Sequence, residues 1–234
     1  MDLYSELISA LQSDLTIDDN SPLFPLATIK TTLNRAYLKC GGLFKWPQLK
    51  DAKKTSTVTS QEYYDYPDTW RPDSIWKLYM DSVRYGEDPD GSPITFDDYL
   101  NWREDYPTDT DKKWANQERR FFIYPVPTTN GSYNIEIHGY KNVEALTNNT
   151  DITIFSYSMP ECNEAIVLEA SAILKNKGEE QKAGEFLSSQ AKQILAVAWG
   201  KLREEQSKYE KIQPFFNVDD MFGDGISDKE IGEF

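Results

Sequence analysis

The sequence predicts an α+β protein: a bundle of N-terminal helices and two C-terminal helices, an inserted small antiparallel β-domain, and an extended C-terminal tail. Three observations carry this reading. Leucines recur every fourth residue near the N-terminus, and apolar residues return at helical spacing after Pro160. Between about Lys54 and Tyr140 the chain is rich in Thr, Tyr, Trp, Val and Ile, broken by Pro, Gly and Asp clusters. After residue 212 periodicity stops, in an acidic stretch that keeps four phenylalanines. The implied parts are 1–53 (helical), 54–158 (β-rich insert), 159–211 (helices completing the bundle) and 212–234 (a partner-binding tail).

The elements follow in order. Leu3, Leu7, Leu11 and Leu15, widened by Tyr4 and Ile8, make the first amphipathic helix. Asp18-Asp19-Asn20-Ser21-Pro22 is turn chemistry, and Pro25 suits the first position of a second helix carrying Ile29, Leu33, Ala36, Tyr37 and Cys40. Gly41-Gly42 is expected to end that helix in a left-handed cap. Short strands are expected over Thr55–Thr59 and Glu62–Tyr66, the second stopped by Pro67. Ser74 to Tyr85 reads as one strand with apolar residues on both faces, and Glu87 to Pro93 as a loop. Phe96 to Trp102 fits one or two helical turns. Phe121–Tyr124 and Tyr133–Tyr140 read as paired strands, with Asn130-Gly131 as the tight-turn signal between them. A helix follows Pro160 and closes at Lys177-Gly178. A second runs from about Glu179 to Lys208, with Ala183, Leu187, Ala191, Ile194, Leu195, Ala198 and Leu202 facing inward.

Composition narrows the chemistry. The 234 residues hold 25 Lys and Arg against 39 Asp and Glu, a net charge of −14. That balance disfavours holding a phosphate backbone, which needs clustered cations, but not a surface past which nucleic acid slides. One histidine, His138, and two cysteines, Cys40 and Cys162, fall short of the four ligands of a closed zinc site, and no metal or other cofactor is expected. Both cysteines read as reduced core residues. His138 lies on the polar side of an alternating strand with Glu136, and no G-x-S-x-G nucleophile elbow accompanies it, so it reads as a solvated strand residue. Three aspartate clusters, at Asp88–Gly91, Asp109–Trp114 and Asp220–Ile231, miss the calcium-loop pattern. There is no P-loop or dinucleotide fingerprint, so no catalytic residue is expected. The first residues lack a basic n-region and an apolar run, which predicts no secretory leader. No apolar stretch approaches the ~18–20 residues of a membrane span, and no membrane partner is expected.

The tail is argued from physics. Asp219, Asp220, Asp224, Asp228, Glu230 and Glu233 stand against the single lysine Lys229, a local charge of −5. Phe215, Phe216, Phe222 and Phe234 are anchors worth about 1.5–3 kcal/mol each when buried. Ordering some 20 residues costs roughly 1–2 kcal/mol apiece. Four anchors do not offset that, so main-chain bonds, such as strand addition to a neighbour, must contribute.

Read in order, the pieces resemble the head-to-tail adaptor (connector or head-completion) proteins of tailed bacteriophages. The resemblance runs through Leu33-Asn34-Arg35-Ala36-Tyr37, Trp46-Pro47-x-Leu49, Glu62-Tyr63-Tyr64-Asp65-Tyr66-Pro67 and Arg71-Pro72-Asp73-Ser74-Ile75. It continues through Phe122-Ile123-Tyr124-Pro125-Val126-Pro127, Tyr133-x-Ile135-x-Ile137-x-x-Tyr140 and the Ala165-Ile166-Val167 helix after Pro160. It implies a non-enzymatic virion protein of the head–tail junction, made in the host cytoplasm. It further implies a homo-oligomeric ring, commonly a dodecamer, between the portal protein and stopper or tail-tube (nozzle) proteins, with DNA only as passing cargo. Within that reading the partner-binding residues expected are Leu187 and Ile194 on the last helix and Phe215, Phe216, Phe222 and Phe234 in the tail. Glu161, Glu164, Glu169, Glu179, Glu180, Glu185, Glu204 and Glu205 are candidates for an acidic conduit wall. Two alternatives stand beside it. One is a carbohydrate-binding or hydrolytic β-domain, motivated by exposed-looking Trp70, Trp76, Trp102 and Trp114. The other is a different tail-completion or baseplate structural protein.

Overall fold

The computed structural model describes residues 3–16, 24–86, 91–105, 112–178 and 180–206. In chain order the elements are α1 (Tyr4–Leu15), α2 (Leu26–Gly42), a 3-10 turn (Pro47–Leu49), β1 (Lys50–Thr57), β2 (Tyr63–Asp65), β3 (Lys77–Met80) and β4 (Val83–Tyr85). They continue with α3 (Phe96–Asp105), β5 (Lys113–Gln117), β6 (Arg120–Tyr124), β7 (Gly131–Tyr140), α4 (Glu161–Lys177) and α5 (Gln181–Gln206). Helices and antiparallel sheets together make the α+β fold that the periodicities predict. Two compact units result: one draws its described residues from Met1–Gln48 and Val143–Phe234, and the other is Leu49–Asn142. The division falls at 49 and 142, where composition places it at 54 and 158. Residues 143–158 join the helices because Leu146, Phe155 and Met159 are buried there. Backbone groups of the same stretch are tied to α2: Asn34 accepts from Leu146 N–H at 2.7 Å, and the Tyr37 hydroxyl accepts from Ile154 N–H at 3.1 Å.

In the helical unit, α1 buries Tyr4, Leu7, Ile8 and Leu11. Its start is fixed by Leu3 N–H donating to Glu6 at 2.8 Å and by Tyr4 N–H donating to the Asp151 carbonyl at 2.8 Å. The glycine cap expected for α2 is absent. Gly41 and Gly42 remain helical, and Leu43 follows at φ −64°. Close approach explains Gly41, since a Cβ there would lie 2.7 Å from Val143 Cγ2. α4 is central and packs against α1, α2 and α5. Cys162, Ala165, Ile166, Val167, Ala170, Ala172 and Leu174 are all buried along it. The 26 described residues of α5 span about 39 Å, and residues 179, 207 and 208 of the expected helix lie outside the described residues. A ring cluster joins distant stretches: Phe44 stacks on Trp199 at 5.2 Å, and Trp46 meets Phe155 edge-on at 5.0 Å and Trp199 at 5.6 Å.

In the β unit, one sheet has the order β1-β7-β3-β4 and the other β2-β6-β5. Two expectations change here. The single strand over 74–85 is a hairpin, because Asp81 and Ser82 both take positive φ (52° and 64°) and reverse the chain between Met80 and Val83. Phe121–Tyr124 and Tyr133–Tyr140 do not pair with each other. β6 lies between β2 and β5, and β7 lies between β1 and β3, so residues 125–130 cross from one sheet to the other. β5 has no counterpart among the expected elements. Tyr64, Tyr66, Trp70, Leu78, Tyr85, Trp114, Phe121, Ile123, Ile135 and Ile137 form the core. Both fully buried indoles find acceptors: Trp70 donates to Asp51 at 3.3 Å and Trp114 to the Gly91 carbonyl at 3.1 Å.

Candidate functional site: the outer side of the C-terminal helix pair

The inward stripe of α5 consists of Gly184, Ala191, Leu195, Ala198 and Trp199, all buried. Small residues let it lie close to α4. A Cβ on Gly184 would fall 2.1 Å from Asn176 Oδ1 and 2.9 Å from the Ala172 carbonyl oxygen. A polar staple adds to this packing. The Glu169 carboxylate on α4 is only 4% exposed, pairs with Lys39 of α2, and accepts a hydrogen bond from Ser188 of α5 at 2.8 Å. Glu169 is therefore committed to the interior and is removed from the candidate conduit wall. Helical spacing sets it on the same inward face as Cys162, Ala165 and Ile166, so its burial among three helices follows from its position.

A second apolar side of α5 is open. Phe186 is 63% exposed and Val197 54% exposed, while Leu187 and Ile194 are half-buried along the border with the core. Turning about 100° per residue, a helix places 186, 187, 190, 194 and 197 within one third of its circumference. Beside them a shallow groove of about 410 Å³ runs between α4 and α5. Leu168, Ile194 and Val197 supply its apolar lining, and Glu161, Glu164, Gln190, Gln193 and Lys201 its polar one. The arrangement suits a protein contact with an apolar floor and a polar rim.

Of the expected partner-binding residues, Leu187 and Ile194 are two turns apart on this border. Phe215, Phe216, Phe222 and Phe234 lie outside the described residues. Phe186 and Val197 were not singled out from sequence, and the available signal was their position off the inward stripe. Of the acidic candidates, Glu161, Glu164, Glu180, Glu185 and Glu204 are exposed. Glu180 pairs with Lys175 at 2.8 Å and Glu185 accepts from Gln181 at 2.9 Å. Glu179 and the Glu205 side chain lie outside the described residues.

The motive for a carbohydrate site is not upheld. Trp70, Trp102 and Trp114 are buried. Trp76 is half-buried beneath Lys77 and Lys50, whose Nζ atoms are 4.4 and 5.3 Å from its ring. His138 bonds to Glu136 at 2.9 Å and meets Trp76 and Tyr79 edge-on. Burial pushes the Cys162 thiol up to about 12 and raises Cys40 further still, with Glu169 adding to the shift at Cys40. Neither thiol is placed for nucleophilic chemistry.

The profile of the SU10 adaptor protein matches residues 2–209. The chain belongs to the SU10 adaptor protein family. No curated protein matches it. The match runs through both units and all five helices, so the adaptor fold includes the β unit. The protein is thus a structural adaptor of a bacteriophage, a virion component that contacts other head or tail proteins. No described helix is long and apolar enough to cross a membrane. Among the described residues, the open α5 side has an apolar floor and polar rim of the kind protein contacts use.

Proposed function

We propose that the adaptor closes into a ring at the head–tail junction, seated against the portal protein and receiving stopper or tail-tube proteins, with duplex DNA passing through it. The observation that supports this is the second apolar side of α5. One side of the helix is covered by α4 and the aromatic cluster, while Phe186, Leu187, Ile194 and Val197 offer another. A ring needs a head-to-tail contact in which this surface meets a different one on the next copy. Twelve copies is the number the resemblance suggests. Exposed Glu161, Glu164, Glu185 and Glu204 then suit a conduit wall, since a negative wall repels phosphate instead of trapping it. The tail, including Phe215, Phe216, Phe222 and Phe234, docks on an assembled partner, and truncation after Gln213 leaves a folded protein that does not dock.

The test is Phe186→Asp and Val197→Asp in the full chain. Both residues are largely exposed, so the fold tolerates the charge, whereas Leu187→Asp or Ile194→Asp also places an unpaired charge partly in the interior. The expected result is an unchanged circular dichroism spectrum with loss of rings, by electron microscopy, and of portal co-sedimentation. Normal rings and portal binding in both variants would remove this side of α5 from the interface. Tight low-salt binding of duplex DNA by the wild-type protein would count against the conduit reading.

A further inference from the structure

A ring made of one kind of chain needs two different surfaces on each copy. The open side of α5 is one, and α2 carries another. Both helices pack on α4 and have little direct contact with each other, so their outer faces are separate surfaces. α2 buries Ile29, Leu33, Ala36, Tyr37 and Cys40. On its other side, at about 100° per residue, Ala27, Thr31, Arg35 and Leu38 fall within a quarter turn of one another. All four are exposed, Leu38 by 40%. A helix face that meets only water is ordinarily polar and charged. This one holds a single charge, Arg35, and the Thr31 hydroxyl donates back to the Ala27 carbonyl at 2.8 Å. The other cations of α2 are answered: Lys39 pairs with Glu169, and Lys30 donates to Asn149 at 3.2 Å. Among the described residues, Arg35 has no carboxylate partner.

The groove between α4 and α5 is complementary to that face. Leu168, Ile194 and Val197 give it apolar surface, and Glu161 and Glu164 outnumber Lys201 on its rim. Among the described residues, neither of these carboxylates has an ion-pair partner. They stand three residues apart on α4, close enough for a single guanidinium to reach both. The lengths agree as well. At 1.5 Å per residue, Ala27 to Leu38 on α2 and Gln190 to Lys201 on α5 each run about 17 Å.

We propose that the outer face of α2 of one copy seats in the α4–α5 groove of the next, with Arg35 between Glu161 and Glu164 and Leu38 against Leu168, Ile194 and Val197. Arg35 brings a planar fork of donors suited to carboxylates. Ala27 and Thr31 are small enough to let the helix lie close, and Leu38 covers the apolar surface of the groove. The two faces belong to different helices, so the contact is head-to-tail and passes from α2 of each copy to α4 and α5 of the next. This rests on the proposed ring and names the surface that meets α5.

The test mixes full-length Leu38→Cys copies with full-length Val197→Cys copies, in the presence of portal and under mild oxidation. Both positions are exposed, and the native cysteines are buried and stay in place. A disulfide between different copies is expected. Arg35→Glu on the first copy should cut its yield at least about tenfold, and Glu161→Arg with Glu164→Arg on the second copy should restore it. Restoration is a readout that a loss of folding cannot imitate. A crosslink between copies that ignores charge reversal overturns the proposal. So does a chain carrying both cysteines that closes on itself as a monomer. Rings that form, by electron microscopy, without the 38–197 disulfide mean that α2 is the wrong counter-surface while the ring reading stands. If the wild-type chain forms no ring with portal, the ring reading fails and the proposal falls with it.

Discussion

The helical unit and the β unit both close around large aromatic rings, but they hold them differently. Phe44, Trp46, Phe155 and Trp199 come from three separated stretches of chain and meet ring against ring. The indole N–H groups of Trp46 and Trp199 find no hydrogen-bond acceptor among the described residues. In the β unit all the rings come from one continuous stretch, and Trp70, Trp114, Tyr66 and Tyr99 at its centre are pinned by polar partners, while the Trp76 indole N–H finds none among the described residues. The buried tyrosines Tyr4 and Tyr37 of the helical unit are held by hydrogen bonds too, so the contrast lies in the ring cluster. Contacts of the first kind specify volume, and contacts of the second kind specify position. The helical unit therefore depends on its most distant segment arriving with the right shape, whereas the β unit carries its own registration.

Three substitutions probe that contrast. Trp199→Ala should have the largest effect, about 3–5 kcal/mol from the lost ring and the cavity left behind. Thermal or denaturant unfolding should show the helical transition falling while the β transition stays in place. An equal shift in both would mean that the two units do not fold independently. Gly139→Ala strikes the β unit. A Cβ there would lie 2.4 Å from the Trp70 ring, which is held at Asp51, so the indole must move. The expected cost is about 1–3 kcal/mol, confined to the β transition. A neutral result would show that Trp70 is less fixed than its hydrogen bond implies. The smallest effect belongs to Asp151 in the helical unit. Hydrogen bonds from the N–H groups of Asn148 and Thr147 hold its carboxyl below the ordinary range. A depressed carboxyl stabilises the fold above its unfolded pKa of about 4, and that contribution is lost as pH falls through the folded value. Asp151→Asn should flatten the acid limb of the helical transition slightly and leave neutral pH nearly unchanged. An unaltered acid limb would assign acid sensitivity elsewhere.

The helices were legible because their signals are local and repeated. Leu7 and Leu11 in α1, and Ala191, Leu195 and Ala198 in α5, face the core as their spacing predicts. Periodicity does not say which apolar side a helix covers when it has two. Hence Trp199 is missing from the expected stripe, and Phe186 and Val197 were not seen as an open side. The sheets were less legible because pairing is long-range. Asp81-Ser82 makes a reversal usually signalled by Asn-Gly, and β5, reading Lys-Trp-Ala-Asn-Gln, has neither alternation nor β-branched residues. Lys113 at its head is buried with its ammonium over the Trp102 ring at 4.4 Å, an arrangement a lysine does not announce in sequence. The tryptophans looked exposed only because their polar neighbours in sequence are not their neighbours in space.

The pairing of Lys50 with Tyr140 and Asp51 with Gly139 fixes how the chain enters and leaves the β unit. The chain leaves for the β unit on one strand and returns on the strand beside it, about 5 Å away. Whatever lies between those two strands closes on the same narrow gap. The entry and exit of the β unit are thus held side by side by its own first and last strands, whatever the length of chain between them.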